Sequence, residues 1–510
     1  MDRFIMQHRD RIVGSISCFD RVIFKGHLPI SYAAGLERFL DGFGLKLKEF
    51  KDFAVGVADR LTRDAKTIAA RAGREYRYLN GVRRKEELAR SLAQEHGIQR
   101  GLVCVLGTVE PVQGFRIVHG DGRPHLRAER RKCLVHYFYL LDPDLGFMHV
   151  RRQTWFPFTM QVYVNGHEWL ARQMQRLRLV FRQLDNAFLS IARPERAQRL
   201  AREFATLDWP AILDRFAHRF NPLLEDLLET MEYHWVTDQA EYATDVMFES
   251  RAALEGLYPR LVRHAITSFS AENVMRFLGK KLHPSFAGEL VSDVKRRPEG
   301  VRVGHRVKAN WIKMYDKHGQ VLRVETVINQ PREFKVRRVT RFRGEVHARW
   351  NPMPKGVAFL DRYERISRAA NGRYLDGLVG IADPSAARRT LDRMAVRART
   401  SSRSLRGFNP ADPDDARLFK AVLGGEHVIA GFRNRHVREA LFGATDDEAV
   451  AKRHAVRVTR LLNRLHAHGY VAKVPRTHRW RVTDIGRAVM SAVIDVRENA
   501  FPAALAKAAA

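Results

Sequence analysis

Apolar positions along the chain follow two periods, and the period changes several times. Residues 33–43, 50–72 and 85–96 repeat apolar side chains every three to four positions, which predicts helices. Residues 21–24, 101–107, 133–141, 147–151 and 156–164 alternate or run apolar with β-branched content, which predicts strands. Asp142-Pro143-Asp144 and Asn165-Gly166 supply turns between them. Helical spacing then dominates, over 168–183, 194–205, 209–217 and 250–268. Strand alternation returns over 285–349, and 354–380 reads as a helix. Residues 383–415 are rich in Ser, Pro and Arg and read as a linker. Helices follow at 416–423, 434–442 and 448–468, then short strands at 470–474 and 479–483.

This pattern predicts an α+β, multi-domain chain. The expected divisions are an N-terminal α+β region (1–167), a mainly helical region (168–280), a β-rich basic region (281–380), a basic linker (381–415), a C-terminal module (416–495) and a frayed tail (496–510). A hydrophobic content of 45% over 510 residues supports packed cores rather than a disordered chain. No internal repeat is visible.

Charge changes the picture most. The formal net charge is +32. Such a chain attracts polyanions and gains affinity by releasing their counterions, so nucleic acid is the expected partner. The N-terminal MDRFIMQHRDR has no apolar run, and no apolar stretch is long enough for a membrane span. Cys18, Cys104 and Cys133 are scattered without a CxxC, which fits a reducing cytoplasm and no zinc site.

The C-terminal module runs helix, Gly469, strand, basic turn, strand. In its long helix Val456, Leu461, Leu462 and Leu465 can face a core. Lys452, Arg453, Arg457, Arg460 and Arg464 fall on the other side, and the turn and its flanks add Lys473, Arg476 and Arg479. No acidic residue lies between Ala449 and Thr483, an unmixed basic face suited to phosphate. The segment resembles a winged helix-turn-helix. That resemblance implies a recognition helix in a DNA major groove and a wing on phosphates, and so DNA rather than RNA.

A second stretch pairs two strands around Lys317-His318-Gly319. Placing Ile312 and Met314 on one face with Leu322 and Val324 sets Asp316 opposite Gln320. Trp311, Lys313 and Tyr315 then share the other face with Arg323 and Glu325, with Lys313 opposite Arg323 and Glu325 opposite Trp311. A phenol, two cations and a carboxylate converge there.

Residues 305–329, with Tyr-Asp-Lys on one strand and Arg-x-Glu on the next, resemble the sheet of rolling-circle replication initiators. The resemblance implies a tyrosine that attacks a DNA phosphodiester beside a metal held by acidic groups. On this chain it implies Tyr315 as nucleophile, Lys313 and Arg323 as a phosphate clamp and Glu325 as a metal ligand. The family's His-hydrophobic-His motif is absent here; His466-Ala467-His468 spells it, but on the C-terminal helix. The whole chain also resembles a bacterial family of similar length that brings no activity with it.

Residues 234–248 (HWVTDQAEYATDVMF) concentrate functional side chains. Glu241 and Asp245 share a face whether the segment is strand or helix, and paired carboxylates suit a divalent metal. They can equally neutralise nearby Arg, or Asp245 and Thr244 can cap a helix. Phe19-Asp20-Arg21 and 153–158 mix aromatic and charged residues and fit a core better than base stacking. GxxxxGK[ST], GxSxG and HExxH are all missing, so no nucleotide cofactor is expected, and Mg²⁺ or Mn²⁺ is the expected ion.

Two functions follow. One is a DNA-binding protein of mobile-element or replication-initiator type with metal-dependent nicking or strand transfer. The other is a DNA-binding regulator or RNA-associated protein without chemistry.

Overall fold

The computed structural model describes residues 1–81, 84–119, 124–281, 289–297, 300–342, 345–379, 392–399, 404–427, 431–475, 477–500 and 502. The chain is α+β and multi-domain, as its periodicity predicts, and is organised around one large sheet. In chain order the strands are β1 (Ile12–His27), β2 (Tyr76–Tyr78), β3 (Gly101–Val118), β4 (His125–Asp142), β5 (Gly146–Gln153) and β6 (Met160–Asn165). They continue with β7 (Phe181–Leu184), β8 (Ala187–Ile191), β9 (His234–Phe248), β10 (Leu290–Arg297), β11 (Gly300–Val307), β12 (Asn310–Lys317) and β13 (Val321–Ile328). Eleven of them form one sheet in the order β10-β11-β12-β13-β9-β1-β6-β5-β4-β3-β2, while β7 and β8 form a separate hairpin.

This order overturns the predicted division at 167 and 280. Strands from all three predicted regions are hydrogen-bonded neighbours, and one hydrophobic core runs beneath them. Periodicity identifies elements but not their partners. The segment expected as mainly helical supplies β9, which pairs with β1 on one side and β13 on the other. Residues 239–248 are therefore strand, and Asp245 caps no helix.

β9 is covered on both faces. On one, Tyr242 and Thr244 meet the helix Leu360–Gly377, whose buried Asn371 donates to the Tyr242 carbonyl (3.0 Å) and to Thr244 Oγ1 (3.1 Å) and accepts from Thr326 Oγ1 (2.6 Å). Such satisfied polar contacts tie the helix to both central strands. The other face carries Glu241, Ala243 and Asp245.

The C-terminal unit has its own core, including Phe419, Val437, Val458, Leu462, Leu465, Trp480 and Met490. Its elements are the helices Pro413–Leu423, Asn434–Phe442 and Glu448–Ala467, the paired strands Val471–Lys473 and Trp480–Val482, and the helix Asp484–Asp495. Phe432 exchanges backbone hydrogen bonds with Trp480 (2.9 and 2.8 Å). Gly469, at φ +75°, ends the long helix in the left-handed conformation that glycine adopts without penalty.

Three expectations for this unit change. Part of the predicted linker is packed: Met394 and Phe408 are buried in the core, while 380–391 and 400–403 lie outside the described residues. Val456 is 49% exposed, and Val458 takes the core position instead. Arg464 is 7% exposed and does not belong to the basic face. Its guanidinium grips Asp415 with two bonds (2.8 and 3.1 Å), and its Nε donates to the Arg406 carbonyl (3.1 Å). A helical wheel gives the side but not the neighbour, and Asp415 is what draws Arg464 inward. The tail expectation is also modified, since Val496–Ala500 continue as helix, while 501 and 503–510 lie outside the described residues.

Replacing Arg464 by Met leaves Asp415 buried without its counter-charge. The C-terminal unit is expected to lose about 3 kcal/mol or more. Arg460→Ala, on the exposed side, is expected to cost less than about 0.5 kcal/mol. Urea denaturation of the full chain, comparing the two variants, checks this.

Candidate functional site

The site forms where β12, β13, β9 and β1 lie side by side. The β12–β13 hairpin keeps the expected faces but not the expected rungs. Lys317 pairs with Val321, Lys313 with Glu325 and Tyr315 with Arg323. Asp316 therefore faces Leu322, not Gln320, and Glu325 faces Lys313, not Trp311. An apolar pattern of period two fixes the face and leaves a slip of two residues undetermined. The turn decides it: both His318 (φ +57°) and Gly319 (φ +71°) adopt left-handed backbone, so the loop runs from His318 to Gln320.

Three carboxylates from adjacent strands meet here: Asp20 of β1, Glu241 of β9 and Glu325 of β13. One oxygen of each lies within 4.8 Å of the others, and all three residues are buried. Two oxygens bound to one cation at 2.0–2.6 Å are separated by about 5 Å at most, so the three carboxylates are within reach of one divalent ion. The Lys313 ammonium holds the centre, 2.7 Å from Glu325 Oε1 and 3.8 Å from Glu241 Oε1. The Tyr315 hydroxyl donates to Glu325 Oε2 (2.5 Å). Asp20, Glu241, Lys313, Tyr315 and Glu325 all line a pocket of about 410 Å³, whose wall also includes Arg21 and Lys317.

Asp20 arrives through a bulge. Phe19 pairs with Tyr242 and Arg21 with Glu241, so Asp20 is an extra residue in the β1–β9 ladder. A bulge of this kind turns two consecutive side chains to one side of the sheet. Asp20 and Arg21 thus both face the pocket, and Phe19 packs edge-on against Tyr242 on the opposite face.

Arg323 and Asp245 do not reach the pocket as free groups. Arg323 is fully buried and binds Asp245 by two bonds, Nε to Oδ1 (2.6 Å) and Nη2 to Oδ2 (2.7 Å). Nη2 also donates to the Asn186 carbonyl (2.6 Å), and Nη1 lies 3.5 Å from Asp20 Oδ2. His167, at the start of the helix Gly166–Arg176, stands between the acids, with Nδ1 3.1 Å from Asp20 and Nε2 3.3 Å from Asp245. Asp245 is therefore an ion-pair partner rather than a member of the acidic group, and Arg323 clamps carboxylates rather than phosphate. The reason is register: Arg323 and Asp245 sit on the same rung of β13 and β9.

The electrostatics separate the three acids. Burial alone would raise Asp20, but Arg323 and His167 hold its carboxyl well below the usual range. Burial and the nearby Glu325 carboxylate push Glu241 up to about 7, against the opposing pull of Lys313 and Arg21. Burial and the Glu325 charge hold the Tyr315 phenol well above its ordinary value. One acid is thus locked in its charged form, and another is poised near neutrality.

The basic positions of the C-terminal unit lie elsewhere. Lys452, Arg453, Arg457, Arg460 and Lys473 are exposed, Arg479 is half-buried, Arg457 stacks over Phe442, and Arg476 lies outside the described residues. Sequence reasoning missed Asp20, His167 and Asn186 as parts of the site. Only the Phe19-Asp20-Arg21 cluster carried a signal, and Phe19 pointed to core. Phe156 and Phe158 are indeed buried in the main core. The three cysteines are unbridged, and among the described residues no helix is long and apolar enough to cross a membrane.

A carboxyl whose folded value is raised contributes stability while it holds its proton. For Glu241 that contribution is complete below its ordinary 4.5 and is lost as pH rises through about 7. Glu241→Gln cannot ionise, so it is expected to flatten the decline between about pH 5 and about pH 8, gaining up to about 3 kcal/mol over wild type at the upper end. Urea midpoints of the two proteins across that interval, without divalent ions, check it.

No family model matches the chain, and no curated protein or solved structure matches it either.

Proposed function

We propose that the chain binds DNA through its C-terminal unit, as a winged helix-turn-helix, and performs metal-dependent nicking or strand transfer at the Asp20–Glu241–Glu325 pocket. Replication initiators and mobile-element proteins perform chemistry of this kind. The observation that carries the reading is the convergence of three buried carboxylates, a lysine and a tyrosine on one pocket in a chain of net charge +32. The C-terminal element order and its exposed cations support the DNA assignment.

Asp20, Glu241 and Glu325 would hold Mg²⁺ or Mn²⁺, which supplies polarisation of a phosphoryl oxygen. Lys313 would leave its central position and pair with the phosphate. The Tyr315 hydroxyl already donates to Glu325, which can take its proton as the phenolic oxygen bonds to phosphorus. The strand oxygen that departs needs a proton, and the Lys313 ammonium, freed to pair with the phosphate, is the adjacent donor. The products are a tyrosyl-linked phosphate and a free strand end.

A second reading, a DNA-binding regulator or RNA-associated protein without chemistry, is favoured by one feature. Lys313 already pairs with Glu325, and Arg323 and His167 both contact Asp20 and Asp245, so much of the cluster's negative charge is offset without an added cation.

Two measurements separate the readings. Wild type should cut single-stranded, hairpin or supercoiled DNA with Mg²⁺ or Mn²⁺. Glu325→Gln should slow cutting at least about a hundredfold while binding persists, and Tyr315→Phe should remove a trapped covalent adduct. No cutting by wild type on any of these substrates leaves the binding-only reading.

Neutralising Arg457 and Arg460 together should weaken duplex binding and lower the slope of log affinity against log salt by roughly 1 to 2. An unchanged slope assigns that helix face to a protein partner instead.

A further inference from the structure

On the far side of the sheet from the acidic pocket lies a larger groove of about 1050 Å³. It is bounded by the helices Ala271–Phe277 and Leu360–Gly377 and by a two-stranded hairpin, Lys335–Phe342 with Glu345–Pro352. Among the described lining residues nine are Lys or Arg, and Glu333 is the one acidic side chain. Glu333 is already shared by Lys280 (3.2 Å) and Lys308 (3.1 Å). Lys335 and Arg337 are exposed on the hairpin with no ion pair among the described residues. The floor is apolar, and Trp350, opposite Arg337, stands 68% exposed beside Val339 at 69%. Trp350 and Val339 thus form a small exposed apolar patch beside two cations that pair with no acid among the described residues.

We propose that this groove binds a single nucleic-acid strand, with an unpaired base stacked on Trp350 and its phosphates on Lys335 and Arg337. Cations that follow a backbone beside an exposed aromatic ring are the chemistry of strand binding without sequence preference. A duplex buries its base faces and offers nothing to Trp350. Position agrees with charge: the helix Ala271–Phe277 carries Met275 into the groove, and its Glu272 is paired with Arg481 of the C-terminal unit. A strand leaving a duplex on that unit is thus delivered near the groove. The inference rests on the nucleic-acid reading above, but not on any chemistry at the acidic pocket.

The test uses the full chain in EDTA and fluorescence anisotropy with an oligothymidylate of about 12 nucleotides and a duplex of equal length. Trp350→Ala should weaken the single strand about tenfold and the duplex less than twofold, and Trp350→Phe should recover most of the loss. Lys335→Ala with Arg337→Ala should lower the single-strand salt slope by about 1.4. Single-strand binding unchanged in Trp350→Ala, or lost equally with duplex binding, overturns the proposal. So does polyglutamate that competes as well as the oligonucleotide, which would make the occupant an acidic protein segment. If duplex binding still depends on Arg457 and Arg460 in that case, only the groove falls. If wild type binds neither nucleic acid, the nucleic-acid reading falls with it.

Discussion

The centre of this protein depends on one buried guanidinium. Arg323 cannot lie in the core without counter-charge, because an unpaired ion there costs several kcal/mol. Its partners are drawn from four other parts of the chain: Asp245 on β9, Asp20 on β1, His167 in the helix Gly166–Arg176 and the Asn186 carbonyl in the β7–β8 hairpin. Satisfying them fixes β13 against β9 to the rung and brings the hairpin over the sheet. Once Arg323 is opposite Asp245, Glu325 must lie two residues further along the same face, next to Glu241 and Lys313. The acidic pocket follows from the ion pair beside it. A slip of one rung would strand the Arg and disperse the carboxylates together, so strand register and site assembly are one event.

This coupling also explains which parts of the protein its sequence discloses. Helices such as Phe50–Arg71 and Asn434–Phe442, and the strands around Asp142, follow from local periodicity and turn residues, and they are found where the pattern places them. Lys313, Tyr315 and Glu325 were legible because alternation fixes faces over a single hairpin. Asp20 was not, because its place depends on an unpaired residue in a ladder with a strand more than two hundred positions away. Asp245 and Arg464 were misread for a shared reason. Both look like free functional groups until the partner that neutralises each is known, and those partners, Arg323 and Asp415, come from other elements.

The charge of the chain is distributed with the same logic. Two of the buried cations, Arg323 and Arg464, are each held by two bonds to one carboxylate, and a third, Arg152, binds Asp64 and the Leu61 carbonyl. Part of the excess positive charge lies on the C-terminal helix and along the basic groove, outside those pairs. The acidic pocket is the exception within a basic molecule. Its field is set locally, with Asp20 kept ionised by Arg323 and Glu241 raised by burial and by Glu325, which lets two carboxyls a few ångströms apart behave differently at one pH.

The bulge in β1 divides that strand into two halves of opposite phase. Before it, even-numbered residues such as Ile16 and Cys18 share the face of Ala243 and Asp245; after it, odd-numbered ones beginning with Arg21 share the face of Glu241. The reading frame of the strand, rather than its composition, therefore decides what stands beside Glu241. Loss of one residue here would let the ladder close into a regular strand. Its hydrogen bonds and hydrophobic faces would survive, while one of the two adjacent charges would leave the pocket. Sheet and site would then separate: the pairing of β1 with β9 would stay, and the carboxylate cluster would lose a member in a single step.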